Sequence, residues 1–263
     1  MRDAQLAAYL QRIDVPRPSS PDLASLRALQ RAHLAAVPFE NLSVRLGEPI
    51  TLHQDALVAK VVEQRRGGFC YELNGAFAAL LTALGYRVEL LGARVFTEGT
   101  PGIPMDHMTL RVQLEQAWLV DVGFGRFSFL PLCLAERGEQ VDPAGTFRIT
   151  EQRTGSSGFP PDLDVLADGQ PQYRIDQRPY QLADFAPVCW FQATSPASTF
   201  TQRTLCSLPT KSGRVSLVRN RLIHTGDDGE RTEQELATDQ QRLDAYREHF
   251  GITLTLDQLQ RLG

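Results

Sequence analysis

Cysteine is scarce in this 263-residue chain, and its four copies, Cys70, Cys133, Cys189 and Cys206, never fall in C-x-x-C spacing. A structural zinc site or a disulfide framework needs paired or clustered cysteines, so neither is expected, nor any other metal. Positive charge is not in excess either. The 27 Lys and Arg against 31 Asp and Glu leave a formal charge of −4, which argues against a general nucleic-acid binder. No apolar run approaches the ~20 residues that span a bilayer, so no membrane partner is expected. The opening MRDAQLAAYLQRID lacks the apolar core of a signal peptide, and the chain reads as cytoplasmic. Neither a Walker A loop nor a G-x-G-x-x-G fingerprint occurs. There is no internal repeat and no low-complexity segment.

What is present is an ordinary globular composition, 42% hydrophobic and 22% charged, on a chain long enough for one large domain or two to three small ones. The first third has helical period. Ser20-Pro21-Asp22 predicts an N-cap followed by proline at the first helical position, and Leu23, Leu26, Gln30 and Leu34 trace one face until Pro38. Thr51-Leu52-His53-Gln54 has capping-box form before the stripe Leu57, Val58, Val61 and Val62. A third helix is expected from Cys70 to Leu84, with Leu73, Phe77, Leu80 and Leu81 on one side and Gly85 closing it.

The period then changes to two. Residues 86–95, 107–114 and 118–122 alternate as half-buried strands do, and FRIT (147–150), YRI (173–175) and VCWFQ (188–192) read as further short strands of a small barrel or curled sheet. From about Ser195 two strands, RVSLV and RLIHT, precede a helix capped near Thr238-Asp239 and ended by Gly251, then a short last helix. The expected division is 1–85 helical, 86–194 β-barrel and 195–263 α/β.

The stretch RRGGFCYELNG (65–75) sets a cysteine at the opening of a helix, just after two glycines. The unpaired N–H groups and macrodipole of a helix N-terminus favour a thiolate there, and the same N–H groups can hold a developing oxyanion. The glycines let the backbone approach a bound group. The other three cysteines are read as small buried hydrophobes. A cysteine nucleophile wants a histidine base. His33 reads as a partly buried helix residue, His53 and His249 as solvent-facing, and His224 as structural. His107 differs, because it opens a strand after the loop TPGIPMD.

The hairpin that His107 opens supplies a test. A two-residue loop would pair 114 with 117 and bury the carboxylate of Asp121 among Met108, Val112 and Leu114, which is costly. A three-residue loop shifts the register by one. Met108, Leu110, Val112, Leu114, Trp118, Val120 and Val122 then share one apolar face, and His107, Thr109, Arg111 and Asp121 share the other.

VPFENL (37–42), RRGGFCYELN (65–74), IPMDHMTLRV (103–112), WLVDVGFG (118–125) and SPASTF (195–200), in this order, resemble the arylamine N-acetyltransferases. The resemblance implies an α+β fold: an N-terminal helical bundle, a central β-barrel and a C-terminal α/β lid around a cysteine-protease-like core. It implies a catalytic triad of Cys70, His107 and Asp121. It also implies acetyl-coenzyme A as co-substrate and an arylamine, arylhydroxylamine or hydrazine as acceptor, with Phe39, Val95, Phe124 and Phe200 lining the acceptor pocket. Glu40 and Arg66 are expected to pair beneath the catalytic loop. For the coenzyme phosphates the candidates are Gly123, Gly125 and Arg126, and the basic stretch Arg203, Lys211, Arg214, Arg219 and Arg221. Competing readings are a cysteine hydrolase with the same triad, an amide synthase acting on a long acyl chain, and a thioester-binding module without turnover.

Overall fold

Apolar residues at helical spacing wind the first third of the chain into helices. In the computed structural model, which describes residues 1–152 and 160–263, these are α1 (Asp3–Arg12), α2 (Leu23–Ala36), α3 (Leu42–Leu46), α4 (Gln54–Val62) and α5 (Cys70–Ala83). A two-residue strand, β1 (Phe39–Glu40), sits between α2 and α3. The caps differ from expectation by two residues. Asp22, not Ser20, caps α2 by accepting the Ser25 N–H at 2.8 Å, and Ser20 instead donates to Asp22. His53, not Thr51, precedes α4 and makes no side-chain cap. Gly85, at φ +92°, takes the left-handed position after α5 that only glycine adopts freely. The sides of α5 are buried all round through Leu81, not on one stripe alone, because α5 lies between the other helices and a sheet.

That sheet runs through β2 (Arg87–Thr97), β3 (Thr100–Pro101), β4 (His107–Gln113), β5 (Ala117–Val120), β6 (Leu132–Cys133), β7 (Gln140–Asp142), β8 (Gly145–Gln152), β9 (Asp162–Ala167) and β10 (Gln170–Tyr180). Its antiparallel path is β6-β5-β4-β2-β10-β9-β8-β7, with β3 on β2. The two ends curl together. The Gln140 amide accepts from Cys133 N at 2.7 Å and donates to Cys133 O at 3.0 Å, and Asp142 accepts from Phe129 N and Leu130 N. Leu91, Leu119, Phe147, Val165, Tyr173 and Ile175 fill the interior of this nearly closed barrel. Cys133 is only half-buried, since its thiol donates to the exposed Gln116 amide instead of entering the core.

VCWFQ is helical, contrary to expectation: it lies in α6 (Ala186–Thr194), which follows a 3-10 turn at Leu182–Phe185. Its β-favouring residues are overruled by Pro187 in the first turn, where proline's fixed φ starts a helix. After the one-turn α7 (Thr199–Gln202) come β11 (Leu205–Thr210), β12 (Gly213–Val218), β13 (Arg221–Gly226), β14 (Arg231–Glu235), α8 (Asp239–Phe250) and α9 (Leu256–Leu262). The C-terminal sheet therefore has four strands of its own where two were expected, and β1 joins it beside β11 through Phe39↔Ser207 and Glu40↔Cys206. Cys206, Val215, Leu217 and Leu222 on one face pack on Tyr246 and Phe250 of α8. The class is α+β. No helix among the described residues is long and apolar enough to cross a membrane.

Candidate active site

Cys70 is the first residue of α5, and its setting explains both preceding glycines. A Cβ on Gly67 would lie 1.8 Å from the Pro38 carbonyl oxygen, and one on Gly68 2.5 Å from the Glu72 carboxylate. Gly67 is crowded by the chain entering β1 and Gly68 by the first turn of α5, while β1 runs alongside with Glu40 N donating to Gly68 O at 2.9 Å. Glu72 reaches back to accept the Phe69 N–H at 3.2 Å and is paired with Lys60. Beneath the loop, Arg66 donates to Glu40 at 2.9 Å as expected, and Glu40 also accepts from Leu42 N. Burial opposes the Glu40 charge, yet Arg66 and Lys60 hold its carboxyl below the usual range. For Glu72, burial and the nearby Glu40 charge prevail over Lys60, and its carboxyl is raised.

His107 and Asp121 enter from the hairpin. Its register is Leu110↔Val120, Val112↔Trp118 and Gln113↔Ala117, the three-residue loop. Leu110, Val112, Val120 and Val122 pack on the helices, with Leu114 and Trp118 at the rim. The opposite face is not solvent but the inside of the barrel, so His107 and Asp121 are 2% and 1% exposed. His107 Nε2 lies 2.6 Å from Asp121 Oδ2, and Cys70 is near enough for its charge to act on the ring. Burial works against a charged imidazole, yet the Asp121 charge and hydrogen bond, with Cys70 adding to them, hold His107 well above the usual imidazole range. Burial likewise opposes the Asp121 charge, and His107, Asn74 and the Gly123 N–H hold its carboxyl low.

Two further residues, Asn74 and Tyr173, complete the centre and went unassigned in the sequence. Asn74, one turn after Cys70, donates to Asp121 Oδ1 at 3.0 Å and to Met108 O at 2.6 Å, and accepts from Val122 N at 2.9 Å. It ties the nucleophile's helix to both strands of the hairpin. Its signal was available: a polar residue four positions from Cys70, on the same face of a largely apolar helix. Tyr173 lies against the imidazole at 5.0 Å between centroids, its hydroxyl facing Thr109 and Asp121 without forming a hydrogen bond. Gly123 packs on the same centre: a Cβ there would stand 2.7 Å from Cys70 Cα.

The four expected pocket residues divide into two pairs. Phe39 and Phe200 belong to the cluster around Cys70, with Phe200 5.2 Å from Phe69 and 6.2 Å from Phe39. Phe124 is on the barrel side, edge-on to His107 at 5.1 Å. Val95, opposite Tyr173 in the ladder, projects to the same inner face and is half-buried. Gly125, at φ +91°, approaches the Phe39 ring.

Among the basic candidates, Arg214 feels the charge of Arg126. Burial, then the charge of Arg126, lowers Arg214 to about 10, and neither has a carboxylate partner among the described residues. Arg214 donates to Ser207 at 2.9 Å, and Ser207 bonds Ser216 at 2.7 Å. Arg221 is instead paired with Glu233, Arg203 and Arg219 are exposed, and Lys211 stands exposed at the β11–β12 turn. Among the described residues, no cluster of three or more His, Cys, Asp or Glu has a metal-binding arrangement. His33 is fully buried, not partly, and His249 is half-buried with its ring on His224.

Comparison with known proteins places this geometry in context. A family model described as N-acetyltransferase matches residues 22–259. The arylamine N-acetyltransferase of Mycolicibacterium smegmatis is 34% identical over 258 residues, covering 95% of this chain and 92% of that protein. The arylamine N-acetyltransferase structure from Salmonella typhimurium superposes with a TM-score of 0.89 at 28% identity, covering 100% of this chain and 98% of the other. The Mycobacterium marinum enzyme, solved in complex with CoA, gives 0.84 at 30% identity over 98% of each chain.

Proposed function

Because the chain belongs to the arylamine N-acetyltransferase family, we propose that it moves an acetyl group from acetyl-coenzyme A to the nitrogen of an arylamine, arylhydroxylamine or hydrazine, through acetyl-Cys70. The observation that carries this reading is the buried His107–Asp121 pair, with Cys70 beside it at the start of α5 and close enough to raise the imidazole. Cys70, as thiolate beside the imidazolium, attacks the thioester carbonyl, and coenzyme A departs as its thiol with a proton from His107. The acceptor amine then attacks the acetyl-cysteine while His107 takes its proton. Asp121 orients the ring and stabilises its charged form. Asn74 and Tyr173 keep the carboxylate and the ring in place.

The apolar walls from Phe39 and Phe200, with Phe124 and Val95 opposite, suit a flat aromatic amine. Arg126 and Arg214, cations without carboxylates beside the Ser207 and Ser216 hydroxyls, suit the phosphates of coenzyme A. Arg214 also lines a cavity of about 500 Å³ with Ser212, Thr225 and Thr232, whose far wall carries Asp227, Asp228 and Glu230, so the phosphates belong on the Arg126 side of Arg214. Lys211, at the β11–β12 turn, and Gly125, next to Arg126, remain candidates for the same coenzyme.

The test is direct. Acetyl-coenzyme A is mixed with the protein, with and without a small arylamine, and free thiol is followed. One equivalent of thiol released without amine, an adduct of one acetyl group on Cys70 by mass spectrometry, and parallel-line kinetics are expected. Cys70→Ala should give neither adduct nor turnover. Sustained thiol release without amine, at the rate seen with it, would mark a hydrolase instead.

A further inference from the structure

Asn41 immediately precedes α3, a position where asparagine normally caps its own helix, yet its side chain makes no capping bond. Its amide reaches across the fold instead. Nδ2 donates to Phe200 O at 2.8 Å and to Arg203 O at 2.7 Å, and Oδ1 accepts from Leu205 N at 2.7 Å. The Asn41 backbone N–H adds a bond to Leu205 O at 3.2 Å. The residue is 3% exposed, so both amide hydrogens are spent on carbonyls in a place water hardly reaches.

The segment so held has local bonds of its own, with Ser198 accepting from Phe200 N and donating to Gln192 and Thr201 donating to Ser195 O, but these tie it to α6 and not to the wall beside Cys70. α7 is a single turn, none of its residues is fully buried, and an isolated turn is unstable on its own. Its Phe200 ring nevertheless stands on Phe69, the neighbour of Cys70, and near Phe39. Arg45 supplies one more tie, to the Thr201 carbonyl. Asn41 lies two residues after Phe39, so one amide links aromatic walls that come from opposite ends of the chain.

Resting on the transfer reading above, we infer that Asn41 is a positioning residue for acceptor selection: it holds Phe200 where the ring binds an aromatic amine and keeps water from acetyl-Cys70. In the water reaction that this wall suppresses, water adds to the thioester carbonyl and the S–C bond breaks. Acetate leaves, and the Cys70 thiol is regenerated with one of the water's protons.

Asn41→Asp keeps the size and the acceptor oxygen but loses both donations and sets a carboxylate against two carbonyls. Two rates are measured separately: acetylation of Cys70 by acetyl-coenzyme A without amine, and loss of the acetyl group to water or to a series of para-substituted anilines. Asn41→Asp is expected to raise the aniline KM and the rate of loss to water by about tenfold each, and to change acetylation by less than about threefold. Phe200→Leu should show the same pattern, and the double variant should add little to either. If acetylation falls in proportion while loss to water stays as in the unsubstituted enzyme, Asn41 serves the fold alone and the inference is overturned. Should Asn41→Asp fail to fold, Arg45→Met removes only the tie to Thr201; unchanged amine KM and unchanged loss to water would then overturn it. Absence of acetyl-Cys70 in the unsubstituted enzyme would instead refute the transfer reading itself.

Discussion

Asp121 holds three donors at once, the His107 ring, the Asn74 amide and the Gly123 N–H, while shut off from water. Its charge is what keeps His107 protonated, since burial alone would push the imidazole down. The stabilisation from the raised His107 is complete below the ordinary imidazole value of about 6.5 and fades as pH rises through its folded value. That from the lowered Asp121 is present above about 3.9 and fades as pH falls. The pair is therefore intact across the neutral range. In Asp121→Asn the imidazole should titrate below about 6.5, followed by ¹⁵N NMR of His107, and kcat/KM should drop about 10²- to 10⁴-fold. An unchanged titration would mean that Asp121 does not govern the ring. Much of this was readable beforehand, because an unpaired carboxylate on the apolar face is too costly and only one hairpin register avoids it. Tyr173 was not readable: alternation within YRI says which way its ring points, not which strand meets it. The influence of Arg126 on Arg214 was hidden for the same reason, since one lies in the loop after β5 and the other on β12.

Helix α2 carries a group that makes the bundle sensitive to acid. His33 is wholly buried, its Nδ1 3.2 Å from the Tyr9 hydroxyl and its Nε2 without a partner. Burial, with Arg12 adding to it, lowers His33 to about 3. The unfolded chain therefore takes up a proton that the folded chain refuses, and stability falls by about 1.4 kcal/mol per pH unit below about 6.5. Urea midpoints at pH 7 and pH 5 measure this. His33→Phe should flatten the loss between the two, and an equally steep loss would assign the acid sensitivity elsewhere. Elements were legible where punctuation and period agree, as in α8, which Thr238 caps through the Gln241 N–H and Gly251 ends at φ +65°. They were misread where short-range preference and position disagree, as in α6. There the β-favouring Val188, Trp190 and Phe191 outweighed Pro187 in the reading, and the proline prevails in the fold.

Across the whole molecule, the barrel is closed at its seam by side chains and not by a strand ladder. Gln140 replaces the missing backbone pairs to Cys133. Gln140→Ala leaves the Cys133 N–H unpaired and its carbonyl with only the longer bond from Glu136 N, and should cost about 1–2 kcal/mol, or about 2–8 °C in Tm. Hydrogen exchange should quicken at 132–134 and 140–142 but not in α8. Equal exchange at the seam would show that curvature alone keeps it shut. The joining of β1 to β11 was invisible to sequence reasoning, because a two-residue strand has no period to detect and its partner is made much later.

That late partner bears on how the molecule comes to exist. The sulfur, the imidazole and the carboxylate have all been synthesised by Asp121, but β11 and the turn bearing Phe200 emerge only after the barrel. A chain emerging from the ribosome thus possesses these three side chains well before the ring that stands on Phe69. If Phe200 selects the acceptor as proposed, completion of the last sheet, seated on β1, is the step at which that choice is acquired.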